Sequence, residues 1–117
     1  MKLSINDTFL NCITDMDARF AKLKALGFDA VDFNLFDLHQ SCYESAEKME
    51  FYCAEVRAAA ERNGIEIYQT HGPWPTDDTT AESRVIGWQQ MHLGLYGTYL
   101  LGSKYMVIHP QMPYGRG

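Results

Sequence analysis

The chain has 117 residues, a net charge of −5, and 46% hydrophobic against 21% charged residues. This length and composition are typical of one globular domain and unlike those of a disordered chain. The acidic balance argues against a broad nucleic-acid-binding surface, which needs clustered Lys and Arg to neutralise phosphates. A small-molecule ligand is therefore the expected partner.

The beginning of the sequence has no apolar run long enough for a secretory signal, and no stretch approaches the length of a membrane span. These features predict a cytoplasmic protein without a membrane partner. Three cysteines, Cys12, Cys42 and Cys53, are odd in number and lack the close pairs of zinc or redox motifs. We expect them to be reduced, with mainly structural roles.

Short β-like segments alternate with longer helical ones along the sequence. The predicted strands cover 2–6, 30–35, 65–70 and 105–109. The predicted helices cover 15–26, with Asp15 as the N-cap, 45–62 and 81–101. Strand-helix-strand repetition with short connections predicts parallel strands joined by right-handed crossovers. The expected fold class is therefore α/β, with about four strands and three helices in a single domain.

One sequence pattern, the end of a predicted helix followed by a glycine and then a short predicted strand, occurs three times. It is present as LGFDAV at 26–31, NGIEI at 63–67 and LGSKYMV at 101–107. A glycine at the end of a helix is typical of a left-handed C-terminal cap. Three such joints indicate three equivalent βα units.

Each predicted strand becomes polar at its carboxyl end, which is where parallel α/β sheets bind their ligands. Two neighbouring strands end in His71 and His109. Because adjacent strands lie roughly 5 Å apart, the two imidazoles are expected to lie side by side at this end of the sheet. Regular alternation would place Gln69 and Ile67 on the same face as His71. Such a pair can share a metal or a substrate, although each histidine could instead be a structural residue bonded to backbone.

Three segments carry a resemblance to a known family. They are LGFDAVD at 26–32, AERNGIEI at 60–67 leading into THGP at 70–73, and LGSKYMVIHP at 101–110. Together they resemble the xylose isomerase-like TIM-barrel superfamily, the sugar phosphate isomerase/epimerase family, over essentially the whole chain. The resemblance implies the N-terminal half of a TIM (β/α)8 barrel, because a complete barrel needs about 250 residues. The second half is expected to be missing, most simply by truncation.

The resemblance also implies an activity. In members of this superfamily a divalent metal, such as Mn, Mg, Co or Zn, binds the carbonyl and a hydroxyl of a sugar or sugar phosphate, and carboxylates move a proton next to that carbonyl through an enediolate. The metal-binding Glu, Asp, His and Glu of the isomerase and epimerase branches lie on strands five to eight. The isolated chain is therefore expected to hold no metal stably and to be inactive. His71 and His109 match residues that contact the substrate or support the reaction.

Four further residues are candidates for substrate binding, namely Asn6, Asp32, His39 and Trp74. Trp74 could form an apolar wall against the C–H face of a sugar, or simply pack within its Pro-flanked loop. Asp32 could face the substrate or be solvated on the polar inner face of the barrel. Asn6 and His39 lie at or after the ends of the first two predicted strands.

Two alternatives to the isomerase or epimerase remain open. One is a non-catalytic half-barrel module that binds a ligand or a partner. The other is an AP endonuclease-like zinc phosphodiesterase, in which the resemblance makes His71 and His109 zinc ligands, although the acidity of the chain disfavours it. In every case a half-barrel exposes unpaired strand edges, so association with a second copy or with a complementary half-barrel is expected.

Overall fold

The computed structural model of the protein describes residues 1–35, 40–73 and 80–109. Its strands are β1 (Ser4–Asn6), β2 (Ala30–Asn34), β3 (Glu66–His71) and β4 (Tyr105–Val107). Its α-helices are α1 (Met16–Ala25), α2 (Ala46–Arg62) and α3 (Ala81–Leu100). The strands form one sheet in the order β1-β2-β3-β4, and all neighbours are parallel. The predicted α/β class, with strands and helices alternating as in half of a β/α barrel, is confirmed.

Two short 3-10 helices were not predicted. They cover Asp7–Leu10, directly after β1, and Ser41–Glu44, directly before α2. The first begins with the Asn6 side chain accepting the backbone N–H of Thr8 at 3.0 Å. This turn matters for the site, because it folds Thr8 back towards the carboxyl ends of the strands.

Each α-helix ends in the glycine joint that the sequence repeats. Gly27, Gly64 and Gly102 have φ angles of 93°, 64° and 75°, which lie in the left-handed region. At the end of α1, Gly27 N–H bonds to the Lys24 carbonyl at 3.0 Å and Phe28 N–H to the Leu23 carbonyl at 3.1 Å. Both bonds recur at the ends of α2 and α3. All three helices therefore stop in a Schellman motif, which confirms the three equivalent joints.

Each α-helix also begins after a residue whose side chain caps its N-terminus. The Asp15 side chain accepts the Ala18 N–H at 2.7 Å, as predicted for an N-cap, and Ser45 accepts the Lys48 N–H at 3.1 Å. Thr80 and Ser83 form a reciprocal capping box at the start of α3. Each such cap contributes about 1 kcal/mol to stability.

The main core lies between the helices and one face of the sheet. Val31 and Phe33 of β2 are fully buried there, as is Leu35 directly after the strand. The Phe33 ring lies 6.2 Å from the ring of Phe20 in α1 and 6.4 Å from that of Tyr52 in α2. These alternate residues of β2 face the helices, so Asp32 and Asn34 lie on the opposite face.

A β-bulge interrupts the pairing of β2 with β3. Val31 pairs with Ile67, but the next residue, Asp32, pairs with Gln69, which leaves Tyr68 as an extra residue. Ile67 is therefore in the core with Val31, and only 7% exposed. Gln69 and His71 return to the face of Asp32 and Asn34. The prediction that Ile67 shares the face of His71 is wrong, because the bulge adds one residue to the alternation.

The last strand is shorter than predicted. β4 ends at Val107, so Ile108 and His109 follow the strand rather than belong to it. The reason lies in the neighbouring strand: β3 ends at His71, which pairs with Val107, so the residues after Val107 have no strand beside them to pair with. Tyr105 and Val107 pair with Gln69 and His71 and therefore lie on the same face of the sheet as these two residues.

One flank of α3 is apolar and exposed. Val85, Trp88, Leu95 and Tyr99 recur at helical spacing, and Trp88 and Tyr99 are 61% and 75% exposed. No charged residue occurs between 85 and 100. The other flank contacts α2, where the Tyr96 hydroxyl donates to Glu50 at 2.5 Å. We call the four exposed residues the α3 stripe. No helix in the part of the chain that the structure describes is long and apolar enough to cross a membrane.

Candidate functional site

Polar side chains from the carboxyl ends of β1, β2 and β3 form one hydrogen-bonded group. We call it the strand-end cluster, and its members are Asn6, Thr8, Asp32, Asn34 and His71. Asn6 Nδ2 donates to Asp32 Oδ2 at 3.2 Å and to Asn34 Oδ1 at 3.1 Å. Asn34 Nδ2 donates to Asn6 Oδ1 at 3.3 Å and to Thr8 Oγ1 at 2.5 Å. The Thr8 hydroxyl completes the network by donating to Asn6 Oδ1.

The centre of the cluster is the contact between Asp32 and His71. His71 Nδ1 lies 2.7 Å from Asp32 Oδ2, with the His71 side chain 27% exposed and that of Asp32 11% exposed. Since a carboxylate only accepts hydrogen bonds, Nδ1 carries the hydrogen of this contact. The bond fixes the orientation and tautomer of the ring and leaves Nε2 with its lone pair. His71 is thus held from inside the cluster while part of its ring stays accessible.

His109 lies next to this pair. The centroids of the His71 and His109 rings are 5.4 Å apart, with 37° between the ring planes. The predicted proximity of the two imidazoles is confirmed, although His109 reaches this position from the segment after β4. A catalytic role for either residue stays a prediction.

One atom of the cluster has no hydrogen-bond partner among the described residues. Asp32 Oδ1 is buried and accepts no hydrogen bond, while Oδ2 of the same carboxylate contacts both Asn6 and His71. A buried acceptor without a donor is unfavourable by about 1–3 kcal/mol, and more when it is charged. Such an atom in a native fold points to a missing donor.

A buried ion pair beneath the cluster holds two strand ends together. Asp7 Oδ1 accepts the backbone N–H of Asn34 at 3.0 Å, and Oδ2 accepts Arg19 Nη1 at 3.1 Å. Arg19 also donates to the Ile13 carbonyl from Nε at 2.9 Å and from Nη2 at 2.7 Å. Burial raises the pKa of Asp7, while the Asn34 N–H and the Arg19 guanidinium oppose the rise. Asp7 therefore positions the end of β2 and has no free atom for a ligand.

The structure brings together four of the six predicted site residues. Asn6, Asp32 and His71 belong to the strand-end cluster, and His109 lies beside it. His39 and Trp74 fall outside the described residues, so their roles stay predictions. Two cluster members were not proposed as site residues from the sequence. Asn34 could have been found, because it lies two residues after Asp32 in the same strand and therefore points to the same face. Thr8 could not, because it reaches the cluster through a 3-10 helix that no sequence pattern predicted.

The described residues do not make a metal centre by themselves. Across residues 1–35, 40–73 and 80–109, no three His, Cys, Asp or Glu side chains are grouped so that they could hold an ion. Zn²⁺ usually takes at least three protein ligands, and the larger divalent ions take more donors still. The ligands of the divalent metal that the resemblance implies, and of the zinc in the endonuclease alternative, would have to include residues outside this part of the chain. We therefore derive no chemical step through a metal.

Comparison with known proteins shows a likeness to a solved structure. No family model and no curated protein matches the chain. The chain is similar in structure to the apo form of 3-keto-D-glucoside 4-epimerase YcjR from E. coli, with a TM-score of 0.67 and 20% sequence identity. The likeness covers 92% of this chain and 37% of that protein, so the chain spans well under half of its length. At this identity the likeness shows the fold alone, which is a parallel α/β half-barrel.

Proposed function

We propose that the chain forms part of a sugar isomerase or epimerase and supplies strands one to four of its barrel. The observation that carries this proposal is the hydrogen bond between Asp32 and His71, beside His109, at the carboxyl end of the sheet. The structural neighbour is described as an epimerase of a 3-keto-glucoside. That description favours sugar epimerisation among the reactions that such a strand-end site could serve.

In this proposal His71 acts as a general base. Its Nε2 takes a proton from the carbon next to the sugar carbonyl, and the electron pair of that C–H bond moves into an enediolate. Asp32, bonded to Nδ1, keeps the ring in the required tautomer and stabilises the imidazolium that forms. Return of the proton from the imidazolium to the neighbouring carbon gives the isomer, whereas the epimer forms when a second acid protonates the enediolate on its other face and His71 releases its proton to solvent. His109, 5.4 Å away between ring centroids, is close enough to contact an oxygen of the same sugar.

We also propose that a complete enzyme contains a divalent metal and a second set of strands. The proton transfer above uses only residues of this chain, and the cation would need ligands from beyond those described. Among the described residues, β1 and β4 lie at the two edges of the sheet, and each pairs with a strand on one side only. These edges, together with the α3 stripe, support association with a complementary half-barrel or with a second copy of the chain.

The test of the proposed reaction is proton exchange measured in deuterated water. The protein encoded by the whole reading frame, incubated with a keto- or aldo-sugar, should replace the hydrogen next to the carbonyl by deuterium, seen as the loss of its ¹H NMR signal. His71→Ala should slow this exchange by about 10²–10⁴-fold. His109→Ala should slow it too, while both variants keep the circular dichroism spectrum of the wild type.

The matched control is His92→Ala, which removes an exposed histidine in the middle of α3. It should leave the exchange rate unchanged. Unaltered exchange in His71→Ala would contradict the proposed role of His71. Global unfolding of both His71→Ala and His109→Ala would instead support structural roles for the two histidines.

A further inference from the structure

The hydrogen-bond donors of the strand-end amides are used inside the cluster. An Asn side chain has two N–H donors and a Thr hydroxyl has one. Asn6 donates to Asp32 and Asn34, and Asn34 donates to Asn6 and Thr8. The Thr8 hydroxyl donates to Asn6. These three side chains therefore have no donor left for a ligand.

The acceptors of the same cluster are in surplus. Asp32 Oδ1 has no partner among the described residues. His71 donates through Nδ1, so its Nε2 offers a lone pair as well. Both atoms accept and neither donates. A ligand completes this network only if it brings hydrogen-bond donors.

The charge of the cluster points in the same direction. Asp32 contributes a carboxylate, and within residues 1–35, 40–73 and 80–109 no lysine or arginine hydrogen-bonds to Asn6, Asp32, Asn34 or His71. Arg19 is linked to the cluster only through Asp7, which bonds to the Asn34 backbone N–H, and its guanidinium is already bonded to Asp7 and to the Ile13 carbonyl. A phosphate group brings strong acceptors and up to two negative charges, which neither the free acceptors nor the carboxylate can satisfy.

We infer that the strand-end cluster selects a neutral, hydroxyl-rich sugar over a phosphorylated one. The inference rests on the proposed function, which names sugars as the class of ligand, and adds a preference for neutral sugars over sugar phosphates. A sugar hydroxyl donates to His71 Nε2 at the accessible side of the ring. A second hydroxyl supplies the donor that Asp32 Oδ1 lacks among the described residues.

Binding to the ¹⁵N-labelled chain tests the inference directly. The probes are methyl β-D-glucopyranoside, glucose 6-phosphate and inorganic phosphate, each titrated while ¹H–¹⁵N spectra report the side-chain amides of Asn6 and Asn34. The glycoside should shift both amides and bind at least about tenfold more tightly than glucose 6-phosphate, the lower end of what a hydrogen bond to a charged group contributes. Inorganic phosphate should leave both amides in place.

Equal or tighter binding of glucose 6-phosphate at these amides would overturn the inference. So would a titration in which no probe moves them. The comparison needs no variant, and it therefore stands even if substitutions in the cluster damage the fold.

A pair of variants locates the discrimination at the carboxylate. Asp32→Asn replaces an acceptor by a donor, so the affinity for the glycoside should fall about tenfold and its preference over glucose 6-phosphate should narrow. The control is Asp29→Asn, which makes the same change just before β2, where the Asp29 side chain is 42% exposed and accepts the Leu3 N–H at 3.2 Å. The control should bind both ligands as the wild type does. An unchanged preference in a folded Asp32→Asn protein would count against the inference.

The ligand preference and the proposed reaction can fail separately. Preferred binding of the glycoside without any proton exchange would end the proposed reaction and leave the preference intact. Faster exchange on sugar phosphates than on neutral sugars would end the preference and leave the reaction intact.

Discussion

Asp7 accepts the backbone N–H of Asn34 at 3.0 Å, although 27 positions separate the two residues. The bond ties the end of β1 to the end of β2, directly beneath the side chains that form the strand-end cluster. Because the second oxygen of Asp7 contacts Arg19, one buried carboxylate fixes two strands and the start of α1 together.

Replacing this carboxylate should destabilise the whole fold. Asp7→Ala leaves the buried Asn34 N–H without an acceptor and Arg19 without its counter-charge, so the free energy of unfolding should fall by about 3–5 kcal/mol. Urea denaturation near neutral pH measures the change. The control is Asp17→Ala, which breaks the exposed pair of Asp17 with Arg62 at 2.7 Å and should have a far smaller effect. Equal losses in the two variants would contradict a special role for the buried pair.

The contribution of Asp7 should depend on pH with a defined sign. Burial raises its pKa above the ordinary value of 3.8, so the folded state binds more protons than the unfolded state between 3.8 and the raised value. The free energy of unfolding that Asp7 contributes therefore falls as pH rises through this window and is constant above it. The difference in stability between wild type and Asp7→Ala, measured from about pH 4 to about pH 8, should be largest at the acid end. A difference that grows with pH would show that ion pairing with Arg19 outweighs burial.

The tautomer of His71 should depend on Asp32. With the carboxylate present, the neutral ring should carry its hydrogen on Nδ1, and Asp32→Ala should move part of the population to the Nε2–H form. Long-range ¹H–¹⁵N correlation spectra distinguish the two forms. The resonances of His92, on α3, should not change. An Nε2–H tautomer of His71 in the wild type would contradict the geometry of the pair.

Thiol reactivity should separate the three cysteines. Cys12 is exposed, whereas Cys42 and Cys53 are buried, and burial raises the pKa of Cys53 to about 12. Ellman's reagent at mildly alkaline pH should therefore react quickly with one thiol and with the other two only after unfolding. Cys12→Ser should remove the fast phase. A second thiol that reacts at the rate of the first would show that the core opens under native conditions.

Association, if it uses the α3 stripe as proposed, should be sensitive to Trp88. Trp88→Lys should raise the dissociation constant of the assembly by about thirtyfold or more, because buried aromatic residues carry much of the binding energy of interfaces. Light scattering after size-exclusion chromatography measures the masses. Phe51→Lys, at an exposed position of α2 outside the stripe, is the control and should leave the masses unchanged. A wild-type chain that is monomeric at every concentration would contradict association with a second copy of the chain.

Much of the fold could be predicted because the ends of its helices are determined by residues close in sequence. A helix that ends at glycine, as at Gly64, leaves a pattern that needs no knowledge of the neighbours. The bulge at Tyr68 could not be predicted, because Ile67, Gln69 and His71 read as a regular alternation. The end of β4 was missed for a related reason, since it depends on where the neighbouring strand β3 ends, at His71.

The part of the site that lies at the carboxyl ends of the strands could be predicted. Polar residues at the carboxyl ends of parallel strands must meet, and this was enough to bring Asn6, Asp32 and His71 together. The burial of Asp7 was not foreseen, because an isolated Asp in a sequence is most often exposed. Its partner Arg19 lies 12 positions away, and only the folded chain reveals the pair.

The bulge divides β3 into two parts with separate tasks. Before Tyr68 the strand supplies Ile67 to the core, and after it the strand supplies Gln69 and His71 to the ligand side. Substitutions of Ile67 should therefore alter folding, and those of Gln69 and His71 should alter the surroundings of the strand-end cluster. Deletion of Tyr68 should remove the bulge without changing these partners, because Ile67 would still pair with Val31 and Gln69 with Asp32, now in one uninterrupted ladder.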